Sequence, residues 1–147
     1  MLRKHDARLD LLANVSLFSS CSQSELRELA GITTEMDAPA GTALCTEGQP
    51  GRDCFIVIEG QAVVSIGGER IDTVGPGGFF GEMALLDGGP RVATVTATSE
   101  MRLLVMSRSE LTTLLADVPS VARKMLTAVG ARLRAAHAQN HPGRVGA

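Results

Sequence analysis

At 147 residues, with 44% hydrophobic against 20% charged residues and no low-complexity run, the chain has the length and composition of one ordinary folded domain rather than a disordered or two-domain protein. A net charge of −2, with the basic residues scattered, excludes a bulk attraction to nucleic acid or to an anionic membrane. No apolar run approaches the roughly 20 residues needed to cross a bilayer.

The N-terminal MLRKHDAR is charged and precedes only a short apolar stretch, without the h-region or small-residue cleavage site of a secretory signal, so a cytoplasmic location is expected. Cys21, Cys45 and Cys54 form an odd set with no Cys-x-x-Cys pair and no histidine at ligand spacing. Reduced core thiols and no metal are the expectation.

Leu9 to Val15 reads as a first short helix. Ser22-Gln-Ser-Glu25 has the form of a capping box, and Leu26, Leu29 and Ala30 follow at helical spacing, which predicts a second helix through SELRELA. From Glu35 the texture changes to short apolar runs punctuated by Gly and Pro: TALCTEG, CFIVIEG, QAVVSIG, ERIDTVG, then ATVTA and MRLLVMS. Closely spaced strands of this kind predict a sandwich or barrel. The glycine between IVIE and QAVVSI, and Gly67-Gly68 at the next turn, suit successive hairpins of a meander. After Ser107, Ser109-Glu110 opens a helix through LTTLLADV, which Pro119 interrupts. Val118 just before it and Val121, Met125, Val129 and Leu133 in the long stretch after it form one stripe, an amphipathic helix. Residues 140–147 offer nothing to bury and read as a frayed tail.

One segment, Gly75 to Pro90, fits neither strand nor long helix. In GPGGFFGEMALLDGGPRVATV a glycine turn leads into the short stretch Glu82 to Leu86, and a second leads into Pro90-Arg91 and a strand. A one-turn helix between two turns presents unpaired backbone N–H groups, which suit an anion. Arg91 closes the same loop and can offer a planar guanidinium to that anion with two parallel hydrogen bonds. Glu82 accepts only, so beside a phosphate its natural partners are neighbouring hydroxyls, such as those of a ribose. Phe79 and Phe80 read as packing residues.

FGEMALLDGGPRVATV resembles the phosphate-binding cassette of the cyclic-nucleotide-binding domain family, F-G-E-φ-A-L-x-x-x-x-P-R-x-A-T-V. VSLFSSCSQSELRELA resembles that family's N-terminal helical segment, and EGQPGRDCF its EG-x-x-G-x-D-x-F turn. The resemblance runs from about Leu11 to His137. It implies a mainly β fold with flanking α: a β-roll, a double-stranded jelly-roll-like barrel, over residues 35–107 with its cassette at 78–95. An N-terminal helical segment spans 1–34 and C-terminal amphipathic helices span 108–139, all as one domain. It implies a ligand site built from Gly81, Glu82, Met83, Ala84, Pro90, Arg91, Val92 and Ala93. Glu82 would take the ribose 2′-hydroxyl, and Arg91 with the N–H groups of Ala84 and Val92 the cyclic phosphate. Asp53 matches the acidic residue that orients the arginine, although beside Gly51 it equally suits a turn cap. Val92 stands where members favouring cGMP often carry Thr, so cAMP is the expected ligand and cGMP the lesser one. The base lid would come from the C-terminal helix, which offers Met125, Val129, Arg132 and Leu133 without an aromatic residue.

The function this implies is a cAMP sensor, not an enzyme and without a cofactor. Its C-terminal helix would pass the signal to an effector protein or to self-association as a homodimer. A degenerate β-roll that binds only protein, or the sensor part of a longer transcription factor of the catabolite-activator type, are the alternatives. With no basic cluster, and only ten residues after His137, no nucleic-acid contact by this chain is expected. A metal-dependent barrel enzyme would need clustered ligands, whereas His5, His137 and His141 lie towards the two ends of the chain.

Overall fold

The computed structural model describes residues 4–140, with side chains described from Leu9 to Ala138. Helix α1 (Lys4–Ala13) begins earlier than the sequence reading and stops before Val15, whose extended backbone leads into a 3-10 turn at Ser16–Phe18. Helix α2 (Gln23–Ile32) starts where the capping box requires. Glu25 N–H donates to Ser22 Oγ at 3.1 Å and Ser22 N–H donates to Glu25 Oε1 at 2.8 Å, satisfying two of the N–H groups a helix start leaves unpaired.

Eight strands follow: β1 (Thr34–Ala38), β2 (Ala43–Cys45), β3 (Asp53–Glu59), β4 (Ala62–Ile66), β5 (Glu69–Val74), β6 (Phe79–Phe80), β7 (Thr94–Ala97) and β8 (Met101–Ser107). They form two four-stranded antiparallel sheets, ordered β1-β8-β3-β6 and β2-β7-β4-β5. The architecture is the expected β-roll with flanking helices. Helix α3 (Glu82–Asp87) sits between β6 and β7, and the chain continues into α4 (Arg108–Asp117) and α5 (Pro119–Asn140).

Two apolar cores result. Between the sheets, Phe55, Val57, Phe80, Val95, Met101 and Leu103 pack together. On the outer side of β3 and β8, Cys54, Ile56, Leu104 and Met106 meet Leu12, Leu26, Leu29, Leu111, Leu114, Val118 and Val121 from the helices. Covering both faces explains why five consecutive residues of β3, Cys54 to Ile58, are buried and why that strand shows no polar alternation. Each such side chain contributes about 1.5–3 kcal/mol by leaving water.

The meander is corrected at Gly60. β3 and β4 belong to different sheets, so this glycine turns a corner between sheets instead of closing a hairpin. Its φ is +95°, and an added Cβ would lie 2.3 Å from the carbonyl oxygen of Glu100. Gly67 and Gly68, both at positive φ, do close the β4–β5 hairpin. Strands β1 and β6 escape the sequence reading because TEMDA is polar and half-exposed while Phe79–Phe80 is only two residues long. The cap of α4 is Ser107, not Ser109. Ser107 and Glu110 have the three-residue separation of a capping box, and both of its bonds form, at 3.4 and 2.8 Å. Val118, which caps the end of α4, and Val121 and Met125 of α5 are buried, Val129 is half-buried and Leu133 exposed, so the stripe leaves the body part-way along the helix. Of the tail read at 140–147, Asn140 is the last residue of α5, and 141–147 lie outside the described residues.

Candidate functional site

Arg91 is held by the turn between β2 and β3, by the start of β3 and by Gly81. Its N–H donates to Gln49 O and its carbonyl accepts from Gly48 N–H, both at 2.8 Å, beside a backbone bridge between Pro50 and Pro90. Its Nη1 donates to Gly81 O at 2.9 Å and its Nη2 to Asp53 O at 2.7 Å. The Phe55 ring lies 5.9 Å below the guanidinium carbon. Gly51 leaves room for it, because a Cβ there would stand 2.9 Å from Arg91 Cζ and 2.6 Å from Ala84 Cβ. Glu47 holds the turn in place, with its N–H donating to Thr94 Oγ1 and its Oε1 accepting from Gly67 N–H. The residues of EGQPGRDCF are thus those that seat Arg91. Asp53 takes part through its main-chain carbonyl; its carboxylate makes no ion pair with the guanidinium.

Arg91 is only 8% exposed and, among the described residues, has no carboxylate within ion-pair distance. Backbone carbonyls satisfy two of its five N–H groups and leave the full positive charge. A buried cation without a counter-ion is costly, and an anion in the adjoining cavity offsets that cost.

α3 begins immediately beside it. Gly81 caps the helix with φ +86°, a conformation that strains any other residue, and an added Cβ would meet Arg91 Nη1 at 2.7 Å. Gly88 ends it at φ +74°, its N–H donating to Ala84 O at 3.1 Å. The first-turn N–H groups of so short a helix have no carbonyl of their own turn to meet.

Glu82 is buried, with 5% of its side chain exposed, and pairs with Arg132 of α5: Nη1 donates to Oε1 at 2.9 Å. Arg132 also donates through Nη2 to Phe79 O, and its guanidinium stacks 4.5 Å over the Phe79 ring. Nearby thiols register these charges. Burial pushes Cys54 up to about 12, the Glu82 charge adding to it and Arg91 opposing. Cys45 is raised by burial, Arg91 lowering and Glu82 raising it less strongly.

Arg91 and Glu82 open onto a cavity of about 370 Å³. Gly81, Glu82, Met83, Ala84, Arg91, Val92 and Ala93 all line it. Pro90 does not; it shapes the turn through its bridge to Pro50. Of the four lid candidates, Val129, Arg132 and Leu133 line the cavity, whereas Met125 is buried among the helices. Phe80, read as packing, stacks on Phe55 at 5.0 Å and also lines the wall. The sequence reading missed the opposite wall, Val64, Ile66, Ile71, Asp72 and Val74 of the β4–β5 hairpin, because a strand far along the chain from the cassette carries no local mark of facing it. Among the described residues no group of histidine, cysteine and carboxylates stands ready to hold a metal, and no helix is long and apolar enough to cross a membrane.

The family model for the cyclic nucleotide-binding domain matches residues 35–118, more than half of the chain. The chain is 38% identical over 112 residues to the cyclic nucleotide-gated potassium channel mll3241 of Mesorhizobium japonicum, covering 76% of this chain and 31% of the channel. It is 31% identical over 130 residues to the CRP-like cAMP-activated global transcriptional regulator of Mycobacterium tuberculosis, covering 85% and 58%. It therefore spans about a third to three-fifths of the length of these curated relatives. Among solved structures, one described as Sp-2Cl-cAMPS bound to PKAR CBD2 superposes with a TM-score of 0.76 at 26% identity, covering 91% of this chain and 92% of that one. With its two-sheet roll, its cassette helix and this match over both sheets, the chain belongs to the cyclic nucleotide-binding domain family.

Proposed function

We propose that the chain binds cAMP in preference to cGMP and passes binding on through α5. The observation that carries the first part is the buried Arg91 guanidinium, seated by backbone and lacking a carboxylate. A cyclic phosphate supplies the missing charge with two parallel bonds, joined by N–H groups of Ala84 and Val92. Glu82 Oε2 then accepts from a ribose hydroxyl, while the hairpin and Val129 and Leu133 of α5 enclose the base. Val92 has no hydroxyl to offer guanine, which supports cAMP.

Transmission rests on Glu82, whose two oxygens face different partners: Oε1 holds Arg132, and Oε2 is left for the ligand. A ligand that fixes Glu82 favours the arrangement in which α5 stays docked, and a coupling of about 1–3 kcal/mol is ordinary for such a shift. The receiver is an effector protein, a further part of a longer chain, or a second copy. Self-association is favoured by Leu126 of α5, which is 70% exposed and lies outside the cavity wall.

Calorimetric titration with cAMP and cGMP tests the ligand, after unfolding and refolding to strip retained nucleotide. Saturable binding tighter for cAMP supports the reading, and no binding to either refutes it. Sedimentation with and without cAMP separates self-association from a heterologous effector.

A further inference from the structure

The far wall of the cavity carries one acidic group besides Glu82, the carboxylate of Asp72. Its direction follows from register. Asp72 on β5 pairs with Val64 on β4, and Val64 pairs with Val95 on β7, so the three side chains share one face. Val64 and Val95 line the cavity, as does Val74, two residues along β5 from Asp72. The carboxylate therefore faces the same space as Arg91, about 10 Å from β7 at two strand spacings.

Asp72 is also oriented. Its Oδ1 accepts from Thr73 N–H at 2.8 Å, and its Oδ2 accepts nothing from the described residues. Around it the wall is apolar, with Ile66 and Ile71 each 44% exposed at the rim. An acceptor in an otherwise greasy wall selects a ligand edge that carries a donor. A nucleotide anchored by its phosphate at Arg91 presents its base to this wall. Adenine and guanine differ there at C6, where adenine carries an amino donor and guanine a carbonyl acceptor.

We infer that Asp72 is a specificity-determining residue that accepts a hydrogen bond from the 6-amino group of adenine and repels the 6-oxo group of guanine. This rests on the cassette reading above and adds to it an acceptor that no cassette residue supplies. Asp72 is solvent-exposed in the open cavity; a base that covers it takes its water away and leaves the carboxylate unpaired unless the base offers a donor, so discrimination comes from Asp72 as much as from the ligand.

The test is calorimetric titration of the wild type, Asp72→Ala and Asp72→Asn with cAMP, cGMP and the cyclic monophosphate of purine riboside, which has hydrogen at C6. Wild type is expected to bind cAMP at least tenfold more tightly than the purine analogue. Asp72→Ala should bind those two about equally while keeping its affinity for the analogue. Asp72→Asn, whose amide both donates and accepts, should bring cGMP closer to cAMP. An unchanged cAMP-to-analogue ratio in Asp72→Ala would overturn the role of Asp72 and leave the cassette reading standing. A shift of Asp72→Ala toward cAMP over cGMP would likewise overturn it, placing guanine N1–H and N2–H on the carboxylate. Wild type that binds none of the three would overturn both readings.

Discussion

Arg132 of α5 reaches to Glu82 of α3, both in the cavity lining, so that one 2.9 Å ion pair joins α5 to the cassette fifty residues earlier. Glu82 is buried and Arg132 is half in water. The pair therefore has two roles: it neutralises a carboxylate that would otherwise be buried alone, and it ties the position of α5 to that of the cassette.

Replacing Arg132 by Ala is expected to weaken cAMP binding severalfold and to abolish the protection of α5 that cAMP confers. Amide hydrogen exchange over residues 126–138, with and without ligand, is the measurement. Exchange that still slows in the variant as much as in the wild type would show that α5 senses the ligand by another route.

Arg91→Ala removes the charge and takes the guanidinium donors away from the part-buried carbonyls of Gly81 and Asp53. Charged hydrogen bonds contribute about 1.5–3 kcal/mol each, which predicts at least a tenfold loss of cAMP affinity. The orphaned carbonyls predict a destabilisation of about 1–3 kcal/mol, read by urea unfolding without ligand. Affinity unchanged in a folded variant would dismiss Arg91 as the phosphate anchor.

Two glycines separate the site from the scaffold. Gly51→Ala drives a methyl against Arg91 and Ala84, so its main effect should be on affinity, a fall of about tenfold. Gly60→Ala meets the backbone of Glu100 and Met101 and forces a positive φ on a residue with a Cβ. It should cost stability instead, about 2–4 kcal/mol, with near-normal affinity in the molecules that fold. Titration and thermal unfolding of both variants compare them.

The buried thiol of Cys54 predicts a pH dependence. Its pKa is pushed from 9.0 up to about 12, chiefly by burial, so the folded state keeps the proton that the unfolded state gives up above pH 9. Stability should fall as the pH rises from about 9 towards 12, because ionisation then favours unfolding. Cys54→Val should flatten that fall, measured as melting temperature against pH. At pH 8 Cys54 should react with a thiol reagent only after denaturation.

How much of this was legible in the sequence depended on whether the information was local. The capping box at Ser22, the cassette over 78–95 and the Gly67-Gly68 hairpin are each written in a few neighbouring residues, and each has its element in the structure. What a strand faces is not local. The sheet exchange at Gly60, the placing of Met125 among the helices and the position of Asp72 opposite Arg91 all follow from pairing across long separations. The EG-x-x-G-x-D-x-F turn lies between these cases. Its residues could be matched, but only the fold shows that Gly48, Gly51, Asp53 and Phe55 meet at one guanidinium, and that Asp53 acts through its carbonyl.

β3, buried on both faces, has a consequence for how the molecule comes apart. Phe55 and Val57 wall the space between the sheets, while Cys54, Ile56 and Ile58 wall the helical side, on alternate residues of one ribbon. Neither compartment keeps its hydrophobic lining without the other, so their melting is expected to be one cooperative event. A small molecule that touches only the inner compartment would then raise the melting temperature of helices it never meets.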